Sequence, residues 1–271
     1  MTPLKIGAAL DVAQIATHRD WLFDAARDIE VQDFLRPTAL TTDFADLVAG
    51  AQAALQGHTG RRGIHGPFYG LDMDNPDPEL RPLITTRYLR GIEAADRIGA
   101  RQMVLHSPYD RWFHNNRLAH AGYAEEMLAR IHAILGPVVR EAEVMGVTLV
   151  VENILDVDPA VRRLLVDSFG SDAIALSVDT GHAHLAHRQS GAPPVDYFLR
   201  DAGAQLAHVH LQDLDGHADR HWPPGEGEIA WPAVFRALAE CKSTPHLVLE
   251  LADHNMVPQG FGHLRDLGLV C

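Results

Sequence analysis

Histidine and carboxylate side chains recur at the ends of short apolar runs along most of this 271-residue chain. Gly63-Ile64-His65-Gly66-Pro67 and Val104-Leu105-His106-Ser107-Pro108 each end a run on an imidazole. Val150-Val151-Glu152-Asn153 and Leu249-Glu250-Leu251 each set a glutamate in apolar sequence, and Ser177-Val178-Asp179-Thr180-Gly181-His182 and His208-Val209-His210-Leu211-Gln212-Asp213 carry mixed sets. An unpaired buried carboxylate costs several kcal/mol, so Glu152 and Glu250 need a cation or strong donors. No Lys or Arg lies close in sequence to either. Imidazole with carboxylate and no thiolate suits Zn, Mn, Fe(II) or Co. Seven of the 17 histidines (His182, His184, His187, His208, His210, His217 and His221) fall within residues 182–221, which strengthens a metal-type reading.

Each residue also has a plain structural alternative. His65 and His106 alone read equally well as buried histidines donating to backbone carbonyls, and Glu152, Asp179 and Glu250 as salt-bridged strand ends. His208 and His210 share a strand face, so one can be a ligand and the other its neighbour. His184, His187, His217, His246 and His254 read as loop or surface residues. The acidic stretch 72–79 lacks EF-hand spacing and reads as a solvated loop.

The elements that must position these side chains follow from periodicity. Eight β-type runs are legible, at 4–10, 29–34, 63–66, 102–106, 148–154, 174–179, 206–211 and 247–251. Between them, stretches such as 43–56, 78–98, 118–145, 194–201 and 231–241 repeat apolar residues at helical spacing. Eight βα units in a chain of this length predict an α/β fold, a single (β/α)8 TIM barrel in one domain over 1–271. An open doubly wound sheet is disfavoured because Ala8-Ala9-Leu10-Asp11 is no glycine-rich phosphate turn. Asn75-Pro76-Asp77-Pro78 reads as a turn into a helix, with Asp77 as cap and Pro78 at the first helical position. In such barrels the chemistry sits at the carboxyl ends of the strands, where the residues above fall.

Composition narrows the function. With 23 Lys+Arg against 36 Asp+Glu the net charge is −13, which argues against a protein that coats a phosphate backbone. No apolar run reaches the roughly 18 residues that a membrane-spanning helix requires. Lys5 and Lys242 lie away from the motifs, leaving few candidates for Schiff-base chemistry, and Cys241 and Cys271 are too few for a disulfide framework. The start, MTPLKIGAAL, lacks the regions of a signal peptide, so a cytoplasmic protein is expected.

In strand order and over nearly the whole chain, these motifs resemble the xylose-isomerase-like barrels, which hold sugar isomerases and epimerases and the apurinic-site endonucleases related to endonuclease IV. The resemblance implies that Glu152, Asp179, His210 and Glu250 form the four-ligand metal set shared by the epimerase and endonuclease branches. The segments SVDTGHA, HVHLQD and DRHWPPGEGEI look more like the endonuclease branch. There, positions matching His65 and His106 join that of Glu152 at one zinc, and those matching His182, Asp219 and His221 hold another. One to three ions are therefore implied. Alternatively, only the four-residue set binds metal, and His182, Asp219 and His221 contact substrate.

Two mechanisms compete. In an isomerase or epimerase, Glu152 and Glu250 act as paired bases on a metal-stabilised enediolate of a sugar-like polyol. In a multi-zinc phosphodiesterase, Glu152 bridges metals instead. A lyase or dehydratase using the same proton abstraction is a third possibility. Loop charge decides for a small carbohydrate-like substrate, because 72–79 and other acidic loops would repel DNA and basic residues interleaved with aromatics are lacking. The expected enzyme is thus a metal-dependent isomerase or epimerase, with His182, His208, Arg220, Trp222 and Trp112 as substrate contacts and homo-oligomerisation common for barrels of this size.

Overall fold

Short apolar runs buried on both faces can close into a parallel sheet only if helices cover the outside. That is the arrangement in the computed structural model, which describes residues 4–41 and 43–271. Met1 to Pro3, part of the stretch read for a leader, lie outside the described residues. Eight strands close in chain order into one barrel: β1 (Gly7–Leu10), β2 (Ile29–Val31), β3 (Arg62–His65), β4 (Gln102–His106), β5 (Thr148–Glu152), β6 (Ile174–Asp179), β7 (Leu206–Leu211) and β8 (His246–Leu249). All neighbouring pairs are parallel, and β1 meets β8 with Gly7 opposite Val248 and Ala8 opposite Leu249.

The outer layer comprises α1 (Val12–Ile15), α2 (Arg19–Asp24), α3 (Ala45–Ala54), α4 (Arg81–Arg97), α5 (Arg111–Asn116), α6 (Tyr123–Met145), α7 (Pro159–Phe169), α8 (Thr180–Ser190), α9 (Val195–Ala202), α10 (Trp231–Glu240) and α11 (Val257–Asp266). Helix α6 shows how the pattern works: Met127, Ile131, Ile134, Leu135, Val138 and Ala142 recur at three and four residues and are buried, and Gly146 ends the helix in the left-handed region. No helix among the described residues is long and apolar enough to cross a membrane.

Two local expectations are corrected. The helix expected at 78–98 starts at Arg81 with Leu80 as its N-cap residue, because Asp77 accepts from the Glu79 N–H in a local turn and so does not cap it. The stretch expected as one helix over 118–145 begins only at Tyr123, after Gly122 at φ 81°, and a separate short helix, α5, is capped by Asp110 upstream.

Register is the feature that matters for function. His106 lies opposite Glu152 on β4 and β5, and Asp179 lies opposite His210 on β6 and β7. Pairing alone thus gathers four of the metal-type side chains at one end of the barrel.

Candidate metal centre

Besides a fully buried group of Glu30, His208 and His210, three groups of ligand-type atoms lie over the carboxyl ends of the strands. In the first, the Nε2 atoms of His65 and His106 are 3.2 Å apart, and each is 3.9 Å from Oε2 of Glu152. In the second, Nδ1 of His210 faces Glu152 Oε1 at 3.2 Å, Glu250 Oε2 at 3.3 Å and Asp179 Oδ2 at 3.9 Å. In the third, Oδ2 of Asp219 lies 3.4 Å from Nε2 of His182 and 3.2 Å from Nε2 of His221. Within each group the ligand atoms fall within 4.8 Å of one another. Glu152 belongs to the first two groups through different oxygens. All nine residues with a metal role in the sequence reading are therefore brought together.

The donor set fits divalent cations. His65 Nδ1 is engaged with the Gly66 carbonyl at 2.8 Å, so Nε2 is the ring nitrogen that faces the Nε2 of His106 and the Glu152 carboxylate. Glu152 Oε2 and Asp179 Oδ2 are fully buried and meet no hydrogen-bond donor. A cation satisfies such oxygens, and nitrogen and carboxylate donors suit Zn, Mn, Fe or Co.

Electrostatics point the same way. Burial alone would raise the Glu152 carboxyl, but His210 and His182 hold it well below the usual carboxylate range. Burial pushes Asp179 up to about 6. For His182 and His210, burial would lower the ring, yet the surrounding carboxylates hold both well above the ordinary imidazole value. His221 is likewise opposed by burial but is carried up to about 9 by Asp219, Glu250 and Asp179. His106, by contrast, is pushed by burial down to about 3 and is a neutral donor. The centre favours positive charge, whether carried by protons or by metal.

Local sequence explains how the loops hold these groups. Asn153 accepts from the Asp179 N–H and donates to its carbonyl, both at 3.0 Å, tying β5 to β6. Buried Arg162 donates to the Val151 and Ser177 carbonyls beneath the same strand ends. Gln212 donates to Asp179 Oδ1 at 3.2 Å and Asp219 Oδ1 at 3.3 Å, and a Cβ on Gly181 would sit 2.2 Å from the Gln212 side chain. Asp213 accepts from the N–H groups of Leu214, Gly225 and Ile229 and from the indole of Trp231, which folds the loop that carries Asp219 and His221. His221 itself is held at φ 49°, a conformation uncommon for a side-chain-bearing residue.

The sequence reading missed Glu30 and Gln32. Glu30 on β2 is buried against His208 and His210, and Gln32 donates to Glu250 Oε1 at 2.6 Å. A signal existed for Glu30: a carboxylate between Ile29 and Val31 raises the same burial problem as Glu152 and Glu250.

A cavity of about 950 Å3 opens over the centre, lined by His65, His106, Glu152, His182, Asp219, His221 and Glu250, with Phe68, Tyr69 and Arg36 on one wall and Asp11, Asp33 and His254 elsewhere. Of the expected substrate contacts, only His182 lines it. His208 is 1% exposed and faces Glu30 below the centre. Arg220 is bound to Asp215, Trp222 pairs with Asp213 through its backbone, and Trp112 is 68% exposed on α5. Their short sequence distance from strand ends did not bring them inward. His184 and His187 lie on α8, His187 at the surface as expected, while His246 opens β8 and His254 reaches the cavity.

Comparison with known proteins agrees with the fold. An uncharacterized protein of Methanocaldococcus jannaschii is 26% identical over 187 residues, covering 65% of this chain and 59% of that one. The TTHB071 protein from Thermus thermophilus, in a structure soaked with ZnCl2, is 28% identical with a TM-score of 0.73 over 97% of this chain and 98% of that one. A D-tagatose 3-epimerase-like protein is 20% identical with a TM-score of 0.75 over 97% and 96% of the two chains, and shares the fold. The family described as xylose isomerase-like TIM barrel matches residues 24–267. This chain, with its closed eight-strand barrel and its ligand-type residues at the strand ends, belongs to the xylose isomerase-like TIM barrel family.

Proposed function

We propose that the chain is a divalent-metal-dependent hydrolase of a small phosphoester, with the ligand groups holding up to three ions. One observation carries this reading: Glu152 is 1% exposed and turns Oε2 to His65 and His106 while Oε1 faces His210. A carboxylate shared in this way is a bridge between two ligand groups and is poorly placed to take a proton from substrate carbon. This placement favours metal-assisted phosphoester hydrolysis over paired-base isomerisation, with a small phosphoester in place of the phosphodiester of the alternative expected from the sequence.

Bound divalent ions supply Lewis acidity, which acidifies water and neutralises phosphoryl charge. The residues do the rest. His65, His106 and Glu152 form one holder, Glu152, Asp179, His210 and Glu250 a second, and His182, Asp219 and His221 a third. Gln32 orients Glu250, Phe68 and Tyr69 offer an apolar wall to C–H faces, and Asp11 and Asp33 stand where hydroxyls can donate. Arg36 brings positive charge to the rim. A polyol phosphate matches these features. Asp72, Asp74 and Asp110 line an adjoining hollow of about 350 Å3, and their charge opposes an approaching duplex backbone.

A sugar isomerase or epimerase is the second reading, and one observation favours it. Oxygens of both Glu152 and Glu250 lie 3.2 and 3.3 Å from the same His210 nitrogen, as a pair acting on one substrate centre would. The fold likeness to a D-tagatose 3-epimerase-like protein is consistent with it. Metal-loaded protein should release phosphate from 4-nitrophenyl phosphate or a polyol phosphate. Deuterium uptake from solvent into ketoses without phosphate release selects the second reading, and nicking of an abasic duplex selects a nuclease.

A further inference from the structure

Glu30 is a buried carboxylate on β2, 2% exposed, and it lies beneath the ligand shell and apart from the residues that line the cavity. Its Oε1 is hydrogen-bonded to Nε2 of His210 at 3.0 Å, and its Oε2 is 3.1 Å from Nε2 of His208. On the far side of His208, Nδ1 is 2.8 Å from the Ser177 hydroxyl. The strand ends thus carry a chain of polar contacts in the order Ser177, His208, Glu30, His210, and the last ring meets the centre.

One hydrogen in this chain is placed by geometry: Glu30 Oε1 can only accept in its bond to His210, so that ring presents N–H from Nε2. His208 faces the other oxygen at 3.1 Å without hydrogen-bond geometry, and its Nδ1 shares a hydrogen bond with the Ser177 hydroxyl. For His210 this leaves Nδ1 as the nitrogen that faces Glu152, Asp179 and Glu250. Carboxylate acceptors behind a ligating imidazole fix its tautomer and increase its basicity.

We propose that Glu30 is the positioning residue of the metal centre: it locks His210 in the Nε2–H tautomer with Nδ1 as the metal-donor atom, and His208 and Ser177 hold Glu30 in place. The proposal rests on the reading that the His210 group binds an ion. It assigns a function to a side chain that does not line the cavity.

The test compares wild type with Glu30→Gln in zinc titrations by calorimetry and chelator competition. Glutamine removes the carboxylate charge behind His210, keeps a single acceptor oxygen and turns an N–H toward one of the two rings. One class of zinc in Glu30→Gln should weaken by about 10- to 100-fold while the remaining binding is unchanged. A merely structural role would lower all classes together or none. Independently of any variant, long-range 15N spectra of histidine-labelled, zinc-loaded wild type should show His210 with its proton on Nε2 and zinc on Nδ1. Identical titrations for both proteins, or a His210 proton on Nδ1 in the loaded wild type, overturn the proposal for Glu30 alone. If wild type binds no zinc, the metal reading falls and takes the proposal with it, so the two failures are distinguishable. The wild-type spectrum decides the matter even if Glu30→Gln does not fold.

Discussion

Gln32 donates from Nε2 to Oε1 of Glu250 at 2.6 Å, so the carboxylate is pinned with its other oxygen, Oε2, 3.3 Å from His210 and 3.5 Å from His221. Through that oxygen Glu250 links the second ligand group to the third. The amide comes from the loop after β2 and the glutamate from the end of β8, elements far apart in sequence that barrel closure brings to either side of β1.

Gln32→Leu keeps the approximate volume of the side chain and removes the donor. Glu250 should lose its fixed orientation, and metal affinity or turnover should fall by about tenfold or more. Steady-state rates and zinc titration check this, with little change expected in the metal-free melting temperature because Gln32 is not part of the apolar core.

Asp213 governs a different part of the centre. Asp213→Ala leaves three backbone N–H groups and the Trp231 indole without their acceptor in a fully buried site. A stability loss of about 3 kcal/mol or more is expected from urea denaturation. In folded protein, zinc at His182, Asp219 and His221 should be lost first, because that loop carries two of the three ligands.

The charge state of the metal-free protein should be visible in its pH dependence. His221 is raised from 6.5 to about 9, and His182 and His210 are raised as well. A raised folded-state value means the protonated ring stabilises the fold fully below 6.5, and this contribution is lost as pH rises through about 9. The melting temperature of metal-free protein should therefore fall between pH 6.5 and 9. The increase produced by zinc should grow over the same range, since ligation needs these rings deprotonated. Differential scanning calorimetry with and without a chelator measures both slopes; a metal-free melting temperature that rises across this window would contradict the assignment.

Much of this architecture is legible in the sequence because parallel barrel strands, buried on both faces, stand out as apolar runs, and ligand types at their ends stand out against them. Glu152, Asp179, His210 and Glu250 are conspicuous for that reason. Glu30 was passed over although Ile29-Glu30-Val31 poses the same burial problem, and its partners, His208 and His210, lie about 180 residues downstream. Gln32 and Asp213 are legible only through contacts that exist after folding. Trp112 and Trp222 fall outside the cavity lining for the converse reason. Trp112 follows a strand closely, yet Asp110 caps a short helix that turns the indole to solvent. Whether a loop residue points inward depends on such capping and turn geometry, which residue type and spacing do not encode.

A Glu152 carboxylate shared between two ligand groups should be visible by zinc-edge anomalous diffraction from metal-loaded crystals. Separate peaks are expected at the His65–His106 group and at the His210 group, both contacting Glu152, with a third at His182, Asp219 and His221. A single peak at the His210 group, with His65 and His106 free of metal, would contradict the shared carboxylate and favour the paired-base isomerase.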